Sequence, residues 1–82
     1  MKLPRDISAT DLILALNRIG YEISRQKGSH IRLMSTIKSE PHHITVPNHS
    51  PIKIGTLNNI LKEISEKLDI SKEDLIVQLF QK

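Results

Sequence analysis

The hydrophobic period changes twice along this chain, from helical to alternating and back. That order of periods restricts the fold more than any other feature. Leu12, Leu16 and Ile19 recur at helical spacing, with Ala9, Ile13 and Ala15 beside the stripe. Ser8 and Asp11 stand three apart, like the two halves of a capping box, and Gly20 follows as a residue suited to a helix end. From Tyr21 the period is two. Tyr21 and Ile23 alternate with Glu22 and Ser24, Ile31 and Leu33 with His30 and Arg32, and Ile44 and Val46 with His43 and Thr45. These segments predict three short strands. Gly28-Ser29 makes a tight connection between the first two, and Ser35 to His42, with Pro41, a longer polar loop before the third. Pro47 and Pro51 end the sheet region, because proline cannot continue a central strand.

The helical period then returns in its strongest form, with Leu57, Ile60, Leu61, Ile64 and Leu68 on one face. Ser71-Lys72-Glu73-Asp74 repeats the capping signature and opens a short third helix through Leu75, Ile76, Leu79 and Phe80. The expected fold class is α+β: helix, three antiparallel strands, helix, with the helices packed on one face of the sheet. Residues 1–82 are expected to form a single domain, with a core over about 8–68 and a helical extension over 71–82. A chain of this length buries roughly 60–65% of the surface its unfolded form exposes. It has little room for an enclosed cavity, so an active site belongs on an open face or groove.

The net charge of +3 is unevenly spread. Residues 1–56 carry eight Lys/Arg against four Asp/Glu, and from Arg18 to Lys38 the cations Arg18, Arg25, Lys27, Arg32 and Lys38 face only Glu22. Such a stripe concentrates polyanions and makes their binding salt-dependent. It also suits an ordinary solvated surface. The chain has no cysteine, which removes disulfides, thiolate zinc sites and cysteine nucleophiles. No apolar run approaches membrane-spanning length and no signal-peptide core is visible, so a cytoplasmic location is expected.

Alternation decides which way the strand residues point. If Ile31, Leu33, Ile44 and Val46 face the helices, then His30, Arg32, His43 and Thr45 share the open face with Glu22 and Ser24, and Arg25 and Lys27 lie at its rim. An exposed imidazole titrates near neutrality and serves as base or acid. Beside a polyphosphate it can take the proton of a ribose 2′-hydroxyl, whose oxygen then attacks the adjacent phosphorus. Arg25, Lys27 and Arg32 would hold phosphate and the charge that builds there, with the Gly28 and Ser29 amides as further donors. His43 is the candidate for a second acid/base group. His42, His43 and His49 do not make a metal set: the first two are strand neighbours that diverge, and no cysteine or carboxylate cluster joins them. No metal or cofactor is expected. The same residues also suit a non-catalytic RNA-binding module, or a domain that binds only protein.

Three separated blocks carry a more specific signal: Arg25-Gln26-Lys27-Gly28-Ser29-His30, then Ile44-Thr45-Val46-Pro47-Asn48-His49, then Ile54-Gly55-Thr56-Leu57-Asn58-Asn59-Ile60-Leu61-Lys62. In order and spacing, from about Ser8 to Leu68, the chain resembles the HicA toxins, the YcfA-like mRNA interferases. The resemblance implies a fold similar to the double-stranded-RNA-binding domain. It also implies metal-independent endoribonuclease cleavage of mRNA in a type II toxin–antitoxin system, growth arrest under stress, and neutralisation by a HicB-type antitoxin protein. The histidine of the family's Gly-Ser-His block is the catalytic one, and that position here is His30.

Overall fold

Ser8 opens the first helix, α1 (Ala9–Arg18), as its capping signature predicts: its Oγ accepts from the Asp11 amide at 3.0 Å while the Asp11 carboxylate accepts from the Ser8 amide. Gly20, at φ 100, carries the chain out of α1 in a conformation that side chains rarely adopt, and a Cβ there would collide with Ile37. The elements that follow are β1 (Glu22–Lys27), β2 (His30–Ser35), β3 (His42–Pro47), α2 (Ile54–Leu68) and α3 (Lys72–Phe80). The strands form one antiparallel sheet in the order β1-β2-β3. This computed structural model describes residues 6–37 and 40–80. Lys38 of the basic stretch, residues 1–5 of the domain and residues 81–82 of the extension lie outside the described residues.

The helices cover one face of the sheet, as expected. Leu12 and Leu16 of α1 and Leu57, Leu61 and Ile64 of α2 form one cluster with Ile31, Leu33, Ile44 and Val46 of β2 and β3. The third helix belongs to the same core. Ser71 caps it by accepting from the Asp74 amide at 3.0 Å. Leu75, Ile76 and Leu79 are buried against α1 and α2, and the Arg18 guanidinium donates to the Leu79 carbonyl.

The first strand departs from the expected pattern. Tyr21 is fully buried but lies before β1, and Ile23, expected to pack under the helices, is 52% exposed. Every residue of β1 is exposed, so this edge strand is uncovered on both faces. The strand also carries an irregularity. Ile23 pairs with Leu33 and Arg25 with Arg32, so Ser24 is an extra residue without a partner, a β-bulge whose hydroxyl donates to the Arg32 carbonyl at 3.3 Å.

A polar pair of buried Tyr21 and half-buried His42 closes the helix side of the sheet at its far end. The Tyr21 hydroxyl lies 2.6 Å from Nδ1 of His42, with the rings edge to face at 5.8 Å between centroids. Burial, then the Glu63 carboxylate, pushes the tyrosyl pKa up to about 12. Burial pulls that of His42 down, against Glu63 and with help from Lys67 and His43. Both shifts favour the neutral forms, so a single hydrogen bond joins a phenol and an imidazole that carry no charge. Because folded His42 holds a proton less tightly than the unfolded chain does, its contribution to stability is present above the unfolded value of about 6.5 and is lost as pH falls below it. Thermal unfolding is expected at lower temperature at about pH 5.5 than at about pH 7.5. The drop should be smaller in His42→Gln, and equal drops in the two proteins would contradict this account.

Candidate nucleic-acid interface

Pairing across the strands sets out the uncovered face in rows. Lys27, His30 and Pro47 form the first, Arg25, Arg32 and Thr45 the second, and Glu22, Met34 and His43 the third. Gly28, at φ 58, is the first residue of the two-residue loop between β1 and β2, the pattern of a type II′ turn. That turn sets Lys27 directly opposite His30, hence on the same face. The bulge at Ser24 is what makes this compatible with the rest of β1. Strict alternation from inward-facing Ile23 would send Arg25 and Lys27 toward the helices, and the extra residue turns both outward. The two cations thus stand in the strand on the open face rather than at its rim.

The result is a shallow depression of about 310 Å³ lined by Arg25, Lys27, His30, Arg32 and Thr45. All five side chains are exposed. A neighbouring hollow is lined by Ser24, Arg25, Arg32 and His43. No substituent would crowd Gly28, whose absent Cβ has nothing within 4 Å, and Ser29 beside it is exposed. The turn backbone is therefore open to a ligand lying across the depression.

Arg25 directly opposite Arg32 is an arrangement that the sheet itself disfavours, since like charges across neighbouring strands repel. Arg25→Thr, which keeps a β-forming residue, is expected to stabilise the fold by about 0.2–1 kcal/mol. The midpoint of urea unfolding checks this; an unchanged or lowered midpoint would contradict it. Cations clustered on an open face fit a polyanion gripped through several phosphates.

His43 shares the face but not the depression. It sits four residues along the sheet from the level of His30, about 14 Å away at the rise of an antiparallel strand, too far to share one phosphate. His42 points to the helix side, so the two neighbours diverge as their alternation predicts. Among the described residues no three His, Cys, Asp or Glu side chains are grouped to hold a metal ion. Sequence reasoning missed the Tyr21–His42 pair and a groove beyond β3, lined by His43, Thr45 and residues of α2.

Residues 9–65 match the family model of the HicA toxin of bacterial toxin–antitoxin systems, which takes in α1, the whole sheet and most of α2. The chain belongs to the HicA toxin family. It is accordingly a toxin of a toxin–antitoxin system, and an antitoxin is the partner that membership implies. No curated protein and no solved structure matches it significantly. The matched region contains His30 and every cation of the depression, whereas α3 lies beyond it. No helix among the described residues is long and apolar enough to cross a membrane.

Proposed function

We propose that this HicA-family toxin is a metal-independent endoribonuclease of the cytoplasm that cuts mRNA on its uncovered sheet face and is neutralised by a HicB-type antitoxin. The observation that carries the reading is the convergence of Arg25, Lys27 and Arg32 around His30, brought about by the bulge at Ser24. His30 takes the proton from a ribose 2′-hydroxyl. The freed oxygen bonds to the adjacent phosphorus, the bond from phosphorus to the 5′-oxygen breaks, and that oxygen leaves with a proton returned by the imidazolium or by water. Arg25, Lys27 and Arg32 hold the phosphate and offset the charge that builds on its oxygens. Gly28 and Ser29 keep the turn narrow enough for the backbone to approach RNA.

Three phosphate contacts to a single strand give log affinity a slope of about −2 against log salt, and Arg25→Glu should flatten it by about one unit and weaken binding. Filter binding over a range of ionic strength measures both. A flat titration would favour a domain that binds only protein.

The functional test is induced expression in bacteria, with total RNA resolved on a gel and the cognate antitoxin co-expressed in a parallel culture. Growth arrest and RNA fragmentation are expected, and both should be relieved by the antitoxin. Intact RNA and normal growth, with tight RNA binding by the purified protein, would instead make the chain a non-catalytic RNA-binding module.

A further inference from the structure

Thr45 stands where two depressions meet. One is the cationic hollow around His30; the other is a groove along the outer edge of β3, walled by Thr56, Asn59 and Glu63 of α2 and also about 310 Å³. His43 joins them a second time, since it lines both this groove and the hollow at Arg25 and Arg32. The cationic hollow and the groove thus lie side by side across the edge strand, with Thr45 and His43 on their common border.

We propose that the groove is a nucleobase subsite that receives the base next to the scissile phosphate and prefers guanine. Asn59 and Glu63 are its specificity-determining residues. The proposal rests on the ribonuclease reading of the sheet face and adds to it a choice of base.

The chemistry of the walls changes from hollow to groove in the way a nucleotide does. The hollow at His30 presents three lysine or arginine side chains, while the groove presents two threonine hydroxyls, an amide, a carboxylate and His43, with no lysine or arginine. No lysine or arginine among the described residues lines the groove to neutralise a phosphate, whereas a base edge finds partners there. Thr56, Asn59 and Glu63 follow one another at three and four residues, so they project from a single face of α2. Asn59 and Glu63 are exposed, and Thr56 is half-buried at the base of the row.

A carboxylate only accepts, whereas an amide both donates and accepts. Guanine alone offers two adjacent donors, its N1–H and its amino group, which suit the two oxygens of the Glu63 carboxylate, with O6 beside them to accept from the Asn59 amide. Adenine, cytosine and uracil each present a single donor next to an acceptor and so leave one carboxylate oxygen without a partner. Bases of single-stranded RNA are read on these same edges. Thr45 pairs with Arg32 across one strand spacing, so the groove begins about 5 Å from the phosphate-holding row. The groove's shared border with the cationic hollow at Thr45 favours RNA over a peptide strand laid along β3.

The test is fluorescence anisotropy with labelled U-rich oligonucleotides carrying G, A, C or U at one position, methylated on their 2′-hydroxyls so that they are bound and not cut. The wild type should prefer G to the other three by about tenfold, the scale of one good bidentate base contact. Asn59→Ala and Glu63→Gln, checked for folding by circular dichroism, should each remove most of that preference. Equal wild-type affinities, or a preference that survives both substitutions, would overturn the subsite and leave the groove to a protein strand. Failure to bind any oligonucleotide in a salt-dependent way would instead overturn the ribonuclease reading, and the subsite with it.

Discussion

His30→Ala is expected to lower the rate of RNA cleavage by about 10²–10⁴-fold, the usual worth of a general acid or base. Its melting temperature should stay at the wild-type value. Both halves follow from one placement. His30 is exposed on the uncovered face, paired across the sheet with Lys27 on one side and Pro47 on the other, and absent from the core cluster. Removing its ring therefore takes nothing from packing and everything from proton transfer. Single-turnover cleavage of a labelled RNA measures the loss. A variant that cuts at nearly the wild-type rate while remaining folded would remove His30 from the mechanism.

Leu79→Ala is expected to produce the opposite pattern. Leu79 is fully buried in α3, a helix outside the region matched by the family model, yet it packs in the same core as Leu12, Leu16 and Leu61. Large-to-small replacement at such a site costs about 2–5 kcal/mol. In a domain of this size that lowers the melting temperature by on the order of 10–30 °C. The helices occupy one side of the sheet and the cationic hollow the other, so cleavage at a temperature where the variant is still folded should be unchanged. A small shift in melting temperature would mean that α3 is an appendage rather than part of the core. Loss of cleavage without loss of fold would mean that α3 takes part in the site.

Much of the architecture was legible because local signals agreed. The capping residues Ser8 and Ser71 mark the starts of α1 and α3, the turn at Gly28-Ser29 closes the hairpin, and the period of two places Ile31, Leu33, Ile44 and Val46 inward. The first strand was harder, and the reason is physical. Counting from Ile23 sends Lys27 inward, whereas a two-residue turn forces it to the side of His30. That conflict of parity is itself the signature of a bulge, and the bulge at Ser24 resolves it. The exposure of Ile23 could not be read this way, since it depends on how far the helices reach across the sheet. The partnership of Tyr21 with His42 joins residues 21 apart in the sequence, and no local pattern encodes that contact. The groove at Asn59 depends likewise on how α2 lies against the edge of β3.

The central claim is that an imidazole on this open face drives attack by the neighbouring ribose hydroxyl. Identifying the chemical ends of RNA cut by the purified protein, in the presence of a chelator, tests it most directly. The account predicts a 2′,3′-cyclic phosphate on one fragment and a 5′-hydroxyl on the other, with RNA carrying a 2′-deoxy group at the cut site left intact. Fragments ending in a 3′-hydroxyl and a 5′-phosphate would show that water attacks phosphorus directly, and would contradict the role of His30 as the base that activates the ribose hydroxyl.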